Sequence, residues 1–540
     1  MPAALLPALL ALRLVAPLGR EGVAVGVASS LEKLRPGDPL PALGEIALRA
    51  ARGECRSAQI AVRARSGLSA LEARADPPPA IALNLYRVAT VHLLRPSGPD
   101  GARGDWPDPL VPLRDPDFQE ARRAFPAAVP PGQLQAIWVE ACVPAEAPAG
   151  DARGRVILTE AGARIAEVPL SVHVWPFALP RTPTFLAAFG VPTRLGTRAL
   201  GAPDDRALAR ALAAAALRHR ITPLTLSADP PDGQCTAAAC ALDWTAYDAE
   251  MGPVLDGTLV PGVRGGFAEV RIPGTVWSGP EADLLATLRA WRRHFVARGW
   301  ADRLWLYTLD EPSPLQIPEL ARRARLAHRA GIRVFATVLP QPALEGAVDA
   351  FAPNLTLLPD GPAPPGVSFS YASCLSHGCA EIPERGPLRA RMRRAFRGWP
   401  GYEIDRPGTA ARAVAWLAFR RGLSGELYYD MLQRWTADPW ADVRAFAGNG
   451  DGTLLYPGLP AALGGSRPFP VESIRLKVIR EGLEDLELLR LASASGLEAE
   501  AQAAAARLVP TARGFERRPG PWLSARDTLG DALEARLKDR

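Results

Sequence analysis

Lysine is almost missing from this 540-residue sequence: among 63 basic residues, only Lys33, Lys477 and Lys538 are not arginine. The arginines are spread along the chain and no basic stripe carries interleaved aromatics, so the net charge of +6 does not mark a nucleic-acid partner. No GxSxG, no HExxH, no glycine-rich phosphate loop ahead of a helix and no Ser-His-Asp order occurs. These absences remove the motif-borne serine hydrolase, zinc protease and nucleotide-binding chemistries, and no cofactor is implied. No apolar run suits a membrane span: MPAALLPALLALRLVAPLG (1–19) is broken by prolines and Arg13 and lacks a basic start. Its apolar length matches a signal-peptide core, and residues 1–22 are expected to be a signal peptide. No internal repeat of solenoid period is found.

Hydrophobic residues at 48% against 22% charged describe a soluble globular chain, and the length calls for two or three domains. Six cysteines are few but even in number. Cys235 and Cys240 (CTAAAC) and Cys374 and Cys379 (CLSHGC) sit at spacings that close small disulfide loops, and Cys55 and Cys142, both in predicted strands, could form a third pair. Neither short pair is a CxxC, and His377 alone beside Cys374 and Cys379 makes a poor metal set, so no metal is expected. Local pairing favours an oxidising compartment, hence a secreted or periplasmic location.

From about residue 23 to 177, short β-rich runs broken by Gly and Pro alternate apolar and polar residues, which predicts an antiparallel β-sandwich. The proline-rich WPFALPRTPTF (175–185) reads as a linker. Strand-like and helix-like segments then alternate over 178–450, about the length of a (β/α)8 barrel. Strands are expected at 185–191, 221–227, 303–309, 333–339, 355–358, 367–373 and 425–431, with a poorly marked one near 400 and a Gly/Pro-rich insertion at 228–280. Residues 451–540 read as helical, and in RLKVIREGLEDLELL the residues Arg475, Arg480, Glu484, Asp485 and Glu487 stand at spacings that allow i,i+4 ion pairs. His219 and Arg220 precede a strand and read as scaffold.

One strand ends in chemistry. RLWLYTLDEPSP (303–314) runs from apolar residues into the adjacent carboxylates Asp310 and Glu311 and is stopped by proline. In a parallel barrel, reactive groups project from the C-terminal strand ends, and consecutive residues there point in different directions. Glycoside cleavage needs a carboxylic acid kept protonated near neutral pH, usually with a second carboxylate. The alternative on spacing alone is a helix start, with Asp310 as N-cap and Glu311 and Pro312 in the first turn.

The DEP motif, with GELYYDMLQRWTADPW, GDGTLLYPG and SIRLKVIREGLEDLELL in the same order, resembles glycoside hydrolase family 123, also catalogued as domain of unknown function 4091. The similarity covers roughly 185–489, and ARGECRSAQIAV and PDPLVPL look like that family's leading β-sandwich. The resemblance implies a retaining β-N-acetylgalactosaminidase in which the substrate's own 2-acetamido oxygen attacks C1. Glu311 would then be the general acid and base, and Asp310 would orient the acetamido N–H. Tyr429 stands where the family commonly places Trp.

Tyr371, Tyr428, Tyr429 and Trp435 lie at or just after predicted strand ends, where rings can stack on sugar C–H surfaces. Tyr428 and Tyr429 alternate, so only one should face the interior. Asp430 could bind a sugar hydroxyl or cap its loop, and Tyr307 could support the acid or pack in the core. The expected partner is a glycan or glycoconjugate. Two other readings stand beside this one: a non-catalytic carbohydrate-binding protein on the same fold, and a glycosidase for sugars without the acetamido group.

Overall fold

The computed structural model describes residues 22–538 apart from 225, 227 and 228, so the expected signal segment lies outside the described residues save for its last position. The fold is mixed α/β. Ten strands between Val23 and Ala178 form two five-stranded sheets. In the first, Val23–Ser29, Cys55–Ala64, Leu134–Cys142, Ala82–Leu93 and Gly104–Pro112 are neighbours in that order, all antiparallel. In the second the order is Ile46–Arg52, Ala163–Ala178, Gly150–Glu160, Leu68–Asp76 and Ala127–Val129, with the first pair parallel. Ile60, Val62 and Val139 of one sheet share an apolar core with Leu71, Val156 and Leu158 of the other, as the period of two along each strand requires. Cys55 and Cys142 are direct register partners on adjacent strands and form a disulfide.

Eight short parallel strands follow: β1 (Leu186–Gly190), β2 (Ile221–Leu224), β3 (Ala268–Glu269), β4 (Leu304–Leu306), β5 (Arg333–Ala336), β6 (Ala350–Phe351), β7 (Phe369–Tyr371) and β8 (Gly425–Tyr428). They are held as two four-stranded sheets, β2-β1-β8-β7 and β3-β4-β5-β6. First and last strands pair, since Ala188 is opposite Leu427. Isolated parallel bridges, Phe351 to Val367 and Asn354 to Tyr371, join β6 to β7. Between β2 and β3 no strand ladder occurs among the described residues; there the Gly266 N–H donates to the Thr222 hydroxyl at 3.0 Å.

The helices of ten residues or more among the described residues are α1 (Arg206–Arg218), α2 (Thr245–Asp256), α3 (Glu281–Ala297), α4 (Ile317–Arg329), α5 (Pro387–Phe396), α6 (Gly408–Arg421) and, near the C-terminus, α7 (Ile474–Ala492), α8 (Glu498–Leu508) and α9 (Pro519–Lys538). Strict strand–helix alternation fails after β5 and β6, where only the 3-10 turns Pro342–Leu344 and Leu355–Leu357 intervene. The strand expected at 355–358 is therefore a turn: Asn354 Oδ1 accepts from the Thr356 N–H and hydroxyl at 3.0 and 2.6 Å and bends the chain. No strand lies near 400. The eight are completed instead by β3, inside the expected insertion, and by β6, each too short to show a period.

Side chains from the two sheets pack together: Ala188, Trp305, Phe335, Ala350, Phe369 and Leu427 form one cluster with Phe267, which precedes β3. Phe335 meets Phe369 edge-on at 5.1 Å and Tyr307 at 5.7 Å, so aromatic rings from β5, β7 and the chain just after β4 pack together. Helix α7 is buried over nearly its whole circumference. Its charges therefore reach other elements rather than each other: Arg475 pairs with Asp108 at 2.8 Å, Arg480 with Glu140 at 2.8 Å, and Asp485 with Arg412 at 2.5 Å. Arg480–Glu484, at 3.7 Å, is the one i,i+4 pair within α7 among the described residues. A buried charge is tolerated only when paired, which is why these partners lie on the N-terminal sheets and on α6. His219 is likewise buried, with Nδ1 2.7 Å from the Ala215 carbonyl, away from the mouth. No helix among the described residues is long and apolar enough to cross a membrane.

Candidate active site

β4 ends at Leu306, and helix structure resumes only at the 3-10 turn Pro314–Gln316, which runs into α4. Ser313 caps that turn, its N–H and hydroxyl both donating to Gln316 Oε1 at 3.0 and 2.9 Å. The capping role is thus filled by Ser313, and the helix-start alternative for Asp310 and Glu311 does not hold. Both carboxylates lie exposed on the loop between strand and helix.

Each is held by a hydroxyl from elsewhere in the fold. Asp310 Oδ1 accepts from the Tyr307 hydroxyl at 2.5 Å and the Thr337 hydroxyl at 3.1 Å. Thr337, just past β5, also accepts from the Glu311 N–H at 2.8 Å, so one side chain fixes both residues. Tyr371, at the end of β7, donates to Glu311 Oε1. Glu311 has φ of +41°, a left-handed conformation that costs a non-glycine residue energy and recurs at functional sites. Desolvation of their rings, with the neighbouring carboxylates, pushes the hydroxyls of Tyr307 and Tyr371 upward, so both stay protonated donors. Tyr307 therefore supports Asp310, and Tyr371, expected from sequence as a sugar contact, supports Glu311.

The β8 residues divide as alternation requires. Tyr428 is buried; its hydroxyl donates to Asp451 Oδ1 at 2.6 Å and accepts from the Gly452 N–H at 2.7 Å. It is scaffold, and the substrate-contact expectation for it is corrected. Trp435 is corrected in the same way: it is 3% exposed and its indole N–H donates to the Leu455 carbonyl at 2.8 Å. Tyr429 is exposed, and its ring meets the 51%-exposed Phe446 at 5.7 Å. Gly452 lies against Tyr429 so closely that an added Cβ would come within 2.4 Å of the hydroxyl, and its φ of +69° favours glycine independently.

Asp430 follows directly. Burial pushes its carboxyl up to about 7, although the Leu432 N–H donates to Oδ1 at 2.7 Å. A carboxyl raised above its ordinary value in the fold stabilises the protein below that ordinary value, near 4, and the contribution is lost as pH rises through about 7. Asp430→Asn, which cannot ionise, should therefore melt roughly a few degrees higher than the parent at pH 8 and the same at pH 4. Equal melting points at both pH values in a scanning calorimeter would remove the burial argument.

A buried constellation beneath Tyr428 was not visible in the sequence. His377 lies between Glu403 and Asp451, with Nδ1 3.2 Å from one and Nε2 3.1 Å from the other. Burial opposes its charge, but the two carboxylates more than offset it and raise the imidazole to about 9. Arg475 donates to the Gly450 carbonyl at 2.7 Å, tying the same loop to Asp108 of the N-terminal sheets. Cys374, His377 and Asp451 come together at metal-like spacing, but Cys374 is in a disulfide with Cys379 and offers no thiolate. Cys235 and Cys240 are also joined, across the hairpin of Asp232–Cys235 and Cys240–Asp243.

Residues 396–492 match the family described as Glycoside hydrolase 123, catalytic domain. No curated protein sequence matches the chain. Among solved structures, a family 123 glycoside hydrolase from Clostridium perfringens, described in connection with glycolipid glycan hydrolysis, is similar over 96% of this chain and 98% of its own. The two share 11% identity, with a TM-score of 0.59. A Bacteroides ovatus GH5 xyloglucanase (8% identity, 85% of this chain and 100% of that one, TM-score 0.27) is more distant in shape. So is a family 39 glycoside hydrolase from Bacteroides cellulosilyticus WH2 (11% identity, 82% of each chain, TM-score 0.31). The family match supports a glycosidase. The matched residues, 396–492, carry β8 and the loop with Asp451, so this part of the chain is similar to the catalytic domain of glycoside hydrolase family 123.

Proposed function

We propose that the protein is a retaining β-N-acetylhexosaminidase, of N-acetylgalactosaminidase type, that uses the substrate's own 2-acetamido group as nucleophile. The observation that carries this reading is the pairing of Asp310 and Glu311, side by side, each with one carboxylate oxygen engaged. Oδ1 of Asp310 and Oε1 of Glu311 accept the hydroxyls described above, while Oδ2 and Oε2 make no hydrogen bond among the described residues. Glu311 protonates the glycosidic oxygen from Oε2. The C1–O bond breaks as the acetamido oxygen attacks C1, and Asp310 Oδ2 accepts the acetamido N–H and stabilises the positive charge on the oxazolinium ring. The Glu311 carboxylate then takes a proton from the water that attacks C1, with net retention. Adjacent carboxylates suit this chemistry, whereas an acid and an enzyme nucleophile would face each other across the bond. Tyr429 and Phe446 supply rings for stacking on sugar C–H faces. We read the eight strands as an irregular (β/α)8-type barrel and the N-terminal sheets as a sandwich; the three disulfides fit a secreted or periplasmic protein.

The test is a screen of aryl 2-acetamido-2-deoxy-β-galactosides and β-glucosides against the matching 2-hydroxy β-glycosides. Turnover confined to the acetamido substrates and inhibited by a thiazoline analogue is the expected result. Equal turnover of 2-hydroxy substrates would replace it with a glycosidase of plain sugars, and tight sugar binding without turnover would make the protein a binder.

A further inference from the structure

Helix α5 carries Arg389, Arg391, Arg393 and Arg394 within ten residues and follows β7, the strand whose Tyr371 holds Glu311. Beside it runs a cleft of about 900 Å³ lined by six arginines, Arg385, Arg389, Arg393, Arg394, Arg397 and Arg513, and by no carboxylate. Among the described residues none of the six is in an ion pair; Arg389 and Arg513 donate only to backbone carbonyls, of Glu384 and of Arg394 and Ala395 respectively. Guanidiniums remain charged at all physiological pH, and like charges at i,i+4 on a helix, as in Arg389–Arg393, work against the local fold. The cleft therefore gathers positive charge without a carboxylate partner among the described residues; Arg513 alone lies over an aromatic ring, that of Trp399, at 5.7 Å.

A second cleft, of about 430 Å³, continues from it: Arg389 and Arg393 line both. It extends through Arg95 and Arg444 to Ala447, next to Phe446, whose ring meets Tyr429. Its two acids are Glu381, already held by Arg444 at 2.9 Å, and Glu384. The two clefts thus form one basic groove leading toward the Tyr429–Phe446 ring pair. No aromatic side chain lines either cleft, so the stacking platform of a single-stranded nucleic-acid site is missing.

We infer that this groove binds an anionic glycan, with sulfate or carboxylate groups of the chain beyond the scissile bond paired to Arg389 and Arg393. The inference rests on the glycosidase reading for its choice of ligand but can be tested without turnover. On the full-length Glu311→Gln protein, titration calorimetry with a chondroitin sulfate hexasaccharide, its chemically desulfated form and the neutral N-acetylchitohexaose should give affinities in that descending order. The sulfated ligand should gain about tenfold or more over the neutral one. An Arg389→Ser/Arg393→Ser double variant, the first site exposed and the second half-buried, should erase that gain and, in the otherwise unaltered protein, leave kcat on a neutral aryl 2-acetamido substrate unchanged. Equal affinity for sulfated and neutral ligands overturns the proposal. So does tighter binding of a 20-nucleotide single strand or of anionic phospholipid vesicles than of the sulfated glycan, or an equal loss on neutral substrate in the double variant. If the arginine-dependent gain is present while no glycoside is hydrolysed, the groove stands and the enzymatic reading fails; turnover without the gain gives the converse.

Discussion

Glu311→Gln is expected to lower kcat on an aryl 2-acetamido-β-glycoside of poor leaving-group ability by about 10²–10⁴-fold, the range for loss of a general acid–base group. The amide keeps an oxygen to accept the Tyr371 hydroxyl, and the backbone bond to Thr337 does not involve the side chain, so the loop geometry at φ +41° should persist. What disappears is the transferable proton on the second oxygen. The loss should therefore shrink as the leaving group improves, because a dinitrophenolate departs without a proton, until the water-activation step limits turnover. A plot of log(kcat/KM) against leaving-group pKa is the measurement: a steeper slope for the variant supports the role, and parallel lines would assign Glu311 elsewhere.

Asp310→Asn should cost about 10²–10³ in kcat, comparable to removing one preorganised stabiliser of developing charge. Its Oδ1 can still accept from Tyr307 and Thr337, so folding should be little affected. The free Oδ2, however, becomes an amide that either presents a donor to the acetamido N–H or turns and breaks the support. Both outcomes weaken the oxazolinium ion more than the substrate, so the thiazoline inhibitor should lose affinity by a larger factor than KM rises. Equal weakening of inhibitor and substrate would reduce Asp310 to a ground-state contact.

Much of this site could be read locally. Leu304, Trp305 and Leu306 form a strand because they are apolar on both faces in an enclosed sheet, and proline ends the extended run. The helix-start alternative stayed open on spacing alone because Asp310 and Ser313 are both competent caps, and only the position of the first helical turn decides between them. β3 and β6 were missed for a different reason: two residues contain one period at most. Trp435 and Tyr428 were placed at the rim because strand ends lie near the rim, yet the chain from 451 to 455 folds back and offers each a buried acceptor, the Leu455 carbonyl and Asp451 Oδ1 respectively.

Apolar patterning and chain punctuation act over a few residues, so the sequence by itself determined that two acids would follow a buried strand and that one of Tyr428 and Tyr429 would face inward. Hydrogen bonding and desolvation act between residues that meet only on folding. Glu311 meets Thr337 across 26 positions and Tyr371 across 60, and His377 reaches Asp451 from the far side of β8. Only the tertiary structure decided which oxygen of each acid is free, which aromatic ring is exposed, and that Arg95, Arg444 and Arg513 join the arginines of 385–397 along one groove, because those outcomes depend on distances in space rather than on spacing along the chain.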